Sequence, residues 1–137
     1  MKIKDIYNIE FDLNTIPEDE LCSMHIWYKN LINKTYTQLD LFDVTRMLIQ
    51  NMFLDIAVKK AIEYLKINPF CGQRYEGELI ELILKIDSSY LESHKEEIKI
   101  ILNDATNKNV NYEWLVEEER QEFSDLLNIL GTKLDSL

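Results

Sequence analysis

Apolar residues recur at helical spacing along most of the chain, and the pattern predicts six helices. The first is expected over residues 18–32, where Leu21, Met24, Tyr28, Leu31 and Ile32 form a stripe widened by Cys22, Ile26 and Trp27, so that it is buried on more than one side. Thr15, Pro17 and the acidic run Glu18-Asp19-Glu20 supply its start. Asp43 is expected to cap a second helix over 44–52, with Val44, Met47, Leu48 and Met52 inward. A third over 54–67 buries Ala57, Val58, Ala61, Ile62 and Leu65 and turns Lys59, Lys60, Glu63 and Lys66 outward, until Asn68-Pro69 ends it. Helices over 76–86 (Leu79, Leu82, Ile83, Ile86) and 89–103 (Leu91, Ile98, Ile101, Leu102) follow, the latter capped from Asp87-Ser88-Ser89. Residues 103–111 read as loop, and a last helix over 112–130 or beyond places Val116, Phe123, Leu126, Leu127, Leu130 and Leu134 inward, with a break at Gly131. Strand-like alternation is confined to Ile9, Phe11 and Leu13, which predicts an extended N-terminal arm, a helix over the first few residues being the alternative.

The expected fold is therefore all-α: one domain over residues 1–137, an irregular bundle of about six helices with an extended N-terminal arm. Composition sharpens this picture. Three glycines and two prolines leave little material for the many turns of a β fold. Two cysteines without a framework spacing suit a reducing cytosol, and neither a signal peptide nor a long apolar run is legible, so the expected location is cytoplasmic.

A search for chemistry returns little. Cys22-x-x-His25 is half of a metal spacing, with Cys71 and His94 isolated, and it reads as a pair in the core or at its edge. The residues three before His25 and His94 are Cys22 and Leu91, which excludes a di-iron Glu-x-x-His pattern. Gly72, Gly77 and Gly131 are singletons, so no phosphate-binding loop forms. No catalysis, metal or cofactor is expected.

Charge is the remaining feature. The net charge of −10 disfavours nucleic acid and anionic membrane as ligands and favours a basic protein partner. Glu113, Glu117, Glu118, Glu119, Glu122 and Asp125 crowd the last helix with Arg120 the single cation among them. A solvated helix face explains such a cluster, and so does a docking surface for a basic partner, for which these six residues and Asp19 and Glu20 are the candidates. Trp27, Tyr112 and Trp114 are candidates for core or for interface anchors.

One set of short pieces narrows the partner. Val44-Thr45-Arg46-Met47-Leu48-Ile49-Gln50-Asn51, Val58-Lys59-Lys60-Ala61 with Leu65, Asn68-Pro69-Phe70 and Tyr75-Glu76-Gly77-Glu78-Leu79-Ile80, preceded by Phe11-Asp12-Leu13 and Ile16 to Cys22, resemble the immunity proteins of bacterial contact-dependent growth inhibition (CDI) systems over roughly residues 11–90. The resemblance implies a stoichiometric inhibitor of the C-terminal toxin domain of a surface-displayed effector, one that protects the producing cell and its siblings. Many such toxin domains are nucleases with basic clefts, which suits an acidic inhibitor. The shared pieces read as scaffold: Pro69 and Gly77 shape helix ends, Tyr75 and Leu79 pack, and Arg46 or Gln50 bonds a loop backbone. The alternative is a small acidic regulatory or adaptor protein that binds an unrelated cytosolic partner.

Overall fold

The computed structural model describes all residues from Met1 to Leu137 and contains seven α-helices and no strand. These are α1 (Ile3–Ile6), α2 (Ser23–Ile32), α3 (Leu41–Gln50), α4 (Leu54–Ile67), α5 (Glu78–Leu84), α6 (Lys95–Asn109) and α7 (Glu117–Asp135). The all-α bundle expected from the spacing is the observed fold. A contiguous core of 27 buried apolar residues runs through it.

Helix α5 is the centre of the arrangement. It is two residues shorter at each end than the periodicity suggests, yet Leu79, Ile80, Leu82 and Ile83 are all buried, because α3, α4 and α7 pack around it. A helix that is apolar on all sides must be enclosed in this way. Its C-terminal end is tied down by α7: the Lys133 ammonium donates to the carbonyls of Leu84 (2.8 Å) and Ile86 (2.5 Å), groups that the end of a helix leaves without partners.

The N-terminal third departs most from expectation. Residues 18–22 are not helical. Glu18–Glu20 form a 3₁₀ turn, and α2 starts only at Ser23, after Cys22 in extended backbone. The added turns would have no apolar face to bury, and a helix end without packing is marginal in water. Nor is α2 buried on several sides: Leu31 and Ile32 are, whereas Ile26 is 52% exposed and Leu21 38%. The arm is also more structured than an extended strand. Ile3 is fully buried in the single turn α1 and donates its N–H to the Lys34 carbonyl (3.0 Å), while Phe11 meets the Tyr28 ring edge-on at 5.0 Å.

At α3 the cap is Asp40, not Asp43. The Asp40 carboxylate accepts from the Asp43 N–H (2.8 Å), and Asp43 returns the bond to the Asp40 N–H (3.2 Å), a reciprocal capping box. Buried Asp43 then accepts from Lys34 Nζ (2.5 Å) and Trp27 Nε1 (3.2 Å), which fixes α2 against α3. Arg46 bonds no loop backbone. Its guanidinium lies over the rings of Trp27 (5.8 Å) and Phe42 (5.5 Å), and Gln50 faces solvent. Asn51 ends the helix with a left-handed φ of 54°, a conformation its short polar side chain tolerates.

Two further boundaries move in the C-terminal half. Two 3₁₀ turns occupy residues 88–94, and α6 runs from Lys95 to Asn109, straight through the stretch read as loop. Ala105 and Asn109 continue the buried stripe of Ile98, Ile101 and Leu102 against α7, and packing overrides the polar composition between them. The last helix starts at Glu117, so Tyr112 to Leu115 precede it and Val116 is 51% exposed. Gly131 does not break it: Leu127, Leu130 and Leu134 stay buried along one face through that position.

Candidate protein-binding surface

The loop between α4 and α5 is built on one buried carboxylate. Glu78 has no solvent exposure, and its Oε1 accepts from the backbone N–H groups of Gln73 and Arg74, both at 3.0 Å, while Oε2 accepts from Arg74 Nε. These bonds curl residues 72–77 into a fixed shape. Gly72 is required there, since a Cβ at that position would lie 1.8 Å from the Tyr75 carbonyl oxygen. Gly77 adopts φ 84° and brings the chain so close to α7 that a Cβ would stand 2.9 Å from the Phe123 ring.

Under the loop is an aromatic cluster. The buried Phe70 ring stacks on Tyr112 at 3.8 Å and meets Phe123 at 5.0 Å and Trp114 at 5.8 Å. Trp114 Nε1 donates to Asn109 Oδ1 (2.8 Å), and Arg120 donates to the carbonyls of Asn109 and Tyr112, the latter at 2.8 Å. Arg120 thus turns its guanidinium onto the backbone of the α6–α7 connection. The one cation inside the acidic stretch is engaged in holding the fold, with Glu117 beside it at 2.9 Å.

Between this loop and α7 lies a hollow of about 120 Å³. Its apolar lining is Tyr75, Trp114, Phe123 and Leu126, and its acidic wall is Glu76, Glu81, Glu119 and Glu122. Tyr75 Oη donates to Glu81 (2.5 Å) and Tyr112 Oη to Glu76 (2.5 Å), which fixes both carboxylates. Glu81 has Lys85 nearby at 3.6 Å, and the other three pair with no cation of the chain. The space is small beside the roughly 300–1,000 Å³ of metabolite pockets. It matches the end of one lysine or arginine side chain, which could meet carboxylates and aromatic faces together.

Of the eight acidic candidates, Glu119 and Glu122 line the hollow. Glu117 is held by Arg120, Asp125 accepts from Gln121 Nε2 (2.9 Å), and Glu113 and Glu118 are exposed beside them. Asp19 and Glu20 lie in the turn before α2, on a separate element. The sequence reading missed Tyr75, Glu76 and Glu81. Tyr75 does not pack inward as expected but is 46% exposed at the rim, and the signal that marked it was the Tyr-x-Gly-Glu-Leu piece itself. Cys22 is exposed at the start of α2 with its Sγ 3.5 Å from His25 Nδ1, an edge pair, and no group of three metal-binding side chains comes together.

The tyrosines give the surface a signature in alkali. Burial, and then the bond to a carboxylate, push Tyr75 and Tyr112 up to about 12, and the same causes raise Tyr7 beside Asp55 and Tyr36 beside Glu63. A phenol whose folded value lies above its unfolded value of about 10 contributes stability that is complete below pH 10 and is lost as pH rises towards the folded value. The urea midpoint should therefore hold steady from pH 7 to about 8, begin to fall near pH 9 because burial pushes the Cys71 thiol up to about 11, and fall more steeply above about pH 10 as the phenols join it. Tyr75→Phe with Tyr112→Phe should flatten that fall; an unchanged slope would show that these two phenols are not coupled to folding.

Compared with known protein families, residues 5–101 match the family described as CDI immunity proteins, which is well over half of the chain. The chain belongs to the CDI immunity protein family. Among curated proteins no match to it is found. Its role is immunity towards a CDI toxin, and its partner is accordingly a protein. In this immunity protein the matched span contains Tyr75, Glu76 and Glu81 and ends inside α6, so that one wall of the hollow lies within the family match and the other, on α7, lies beyond it. No helix is long and apolar enough to cross a membrane.

Proposed function

We propose that this immunity protein binds the C-terminal toxin domain of its cognate CDI effector and neutralises it stoichiometrically, with the acidic hollow receiving a lysine or arginine of the toxin. The observation that carries this reading is the grouping of Glu76, Glu81, Glu119 and Glu122 around exposed aromatic surface, three of them without a cation of their own. Like charges brought this close repel one another, and a cation from a partner relieves that repulsion. Glu113, Glu117, Glu118 and Asp125 extend the negative field along α7, and Asp19 and Glu20 add to it from the turn before α2. A net charge of −10 favours a basic toxin surface such as a nuclease cleft and accelerates encounter with it.

The test is kinetic. Glu119→Lys with Glu122→Lys should slow association with the toxin domain at least about tenfold at low salt, flatten the salt dependence of the on-rate and abolish sibling protection in a growth competition. An unchanged on-rate together with full protection would remove the hollow from the interface.

A further inference from the structure

The acidic hollow cannot by itself hold a toxin tightly, because exposed ion pairs contribute little and tight interfaces rest on a few buried apolar anchors. Directly beside it lies a second depression, between α3 and α5. It measures about 330 Å³ and has Leu48, Ile49, Leu82 and Ile86 as its apolar lining. Ile49 is 40% exposed there, in the last turn of α3.

Two cations stand on its rim. Arg74 spends its Nε on Glu78 and remains 56% exposed, and Lys85 is 66% exposed and only loosely held by Glu81 at 3.6 Å. In a chain with an excess of ten negative charges the two place exposed cationic donors around an apolar floor, each also paired with a carboxylate of α5. The two depressions share a border. Arg74 sits 5.8 Å from the Tyr75 ring, and Lys85 faces Glu81, so that each rim residue of one borders a wall residue of the other. The surface is therefore bipolar: carboxylates over aromatic rings on one side, cations over aliphatic side chains on the other.

We propose that the α3–α5 depression seats an apolar side chain of the toxin domain that is flanked by a carboxylate, while a basic residue next to it enters the acidic hollow. This rests on the toxin-binding reading above and adds to it the anchor and the register. The apolar side chain is desolvated against Ile49, Leu48 and Leu82, and its neighbouring carboxylate reaches Arg74 and Lys85. Reversing the order of charges on the partner would bring like signs together at both depressions, which rejects toxin domains of another pattern.

The experiment measures association and dissociation separately, using residues 1–137 and the C-terminal toxin domain of the cognate CDI effector. Ile49→Asp should raise Kd at least tenfold through faster dissociation, in excess of the stability lost by placing a carboxylate in the last turn of α3, which urea unfolding of the free protein measures separately. Lys85→Glu should speed dissociation severalfold, and a toxin variant selected to restore binding to it should carry an acidic-to-basic change. Dissociation rates within twofold of the native protein for both variants would overturn the proposal, and if Glu119→Lys with Glu122→Lys still slowed association, the acidic reading would stand without it. If the native protein fails to bind that toxin domain at all, the toxin-binding reading fails and this inference with it.

Discussion

Phe123→Ala should lower the stability of the protein by about 4 kcal/mol, the largest loss expected from any single truncation on the binding face. The ring is 2% exposed and stands where three pieces of chain meet: it touches Phe70 from the α4–α5 loop at 5.0 Å and Trp114 from the α6–α7 connection at 5.4 Å, and Gly77 passes directly over it. Removing it takes away the transfer free energy of a buried aromatic side chain and leaves a void that Gly77 cannot fill, because glycine has no side chain to move in. The loss is read from urea unfolding. A cost below about 2 kcal/mol would show that the cluster collapses around the gap, contrary to the rigid loop described above. Since the same ring lines the acidic hollow, the variant should also bind the toxin more weakly than its folded fraction accounts for.

Glu78→Ala is expected to cost about 3 kcal/mol, for a different reason. The carboxylate is fully buried and accepts three hydrogen bonds, two of them from backbone N–H groups of the loop. Truncating a fully buried side chain leaves a void and takes away the acceptor that shapes the loop, whereas Arg74, already 56% exposed, can return to water. Glu78→Gln keeps one acceptor oxygen and should lose roughly half as much. The decisive comparison is between the two variants: because the amide keeps the size of the side chain, equal losses would mean that the negative charge, not packing or the remaining acceptor oxygen, explains the position. In both, residues 72–77 should exchange their amide protons faster, and Tyr75 and Glu76 would no longer be held at the rim.

The chain's own pattern was sufficient for the class of fold and for most of the core. Ala57, Val58, Ala61, Ile62 and Leu65 on α4, and Leu79, Leu82 and Ile83 on α5, are buried as their spacing requires, since a 3.6-residue period puts them on one face whatever they pack against. The short pieces from Phe11 to Ile80 were also sufficient for the family, because they preserve residues with specific backbone tasks, Pro69 behind α4 and Gly77 ahead of α5 among them. Helix ends were much less legible. Residues 18–22 carry every local start signal and are not helical, and 103–109 carry loop composition and are helical, because burial of a face elsewhere in the molecule decides whether a marginal turn forms.

The binding surface was half legible. Glu119 and Glu122 stood out as charge, but Glu76 and Glu81 are separated from them by some forty residues, and nothing local says that the two stretches face each other. Tyr75 was read as packing because an aromatic residue in a shared piece is usually interior. Only the tertiary structure shows that it is Glu78, next to the glycine that must approach Phe123, which goes inside and leaves Tyr75 and Glu76 at the edge. Composition and periodicity thus determined an acidic helical protein, and the short shared pieces determined its family. The pairing of opposite signs across two adjoining depressions was decided by how α3, α5 and α7 pack, since charge acts through distance in space and the sequence records only distance along the chain.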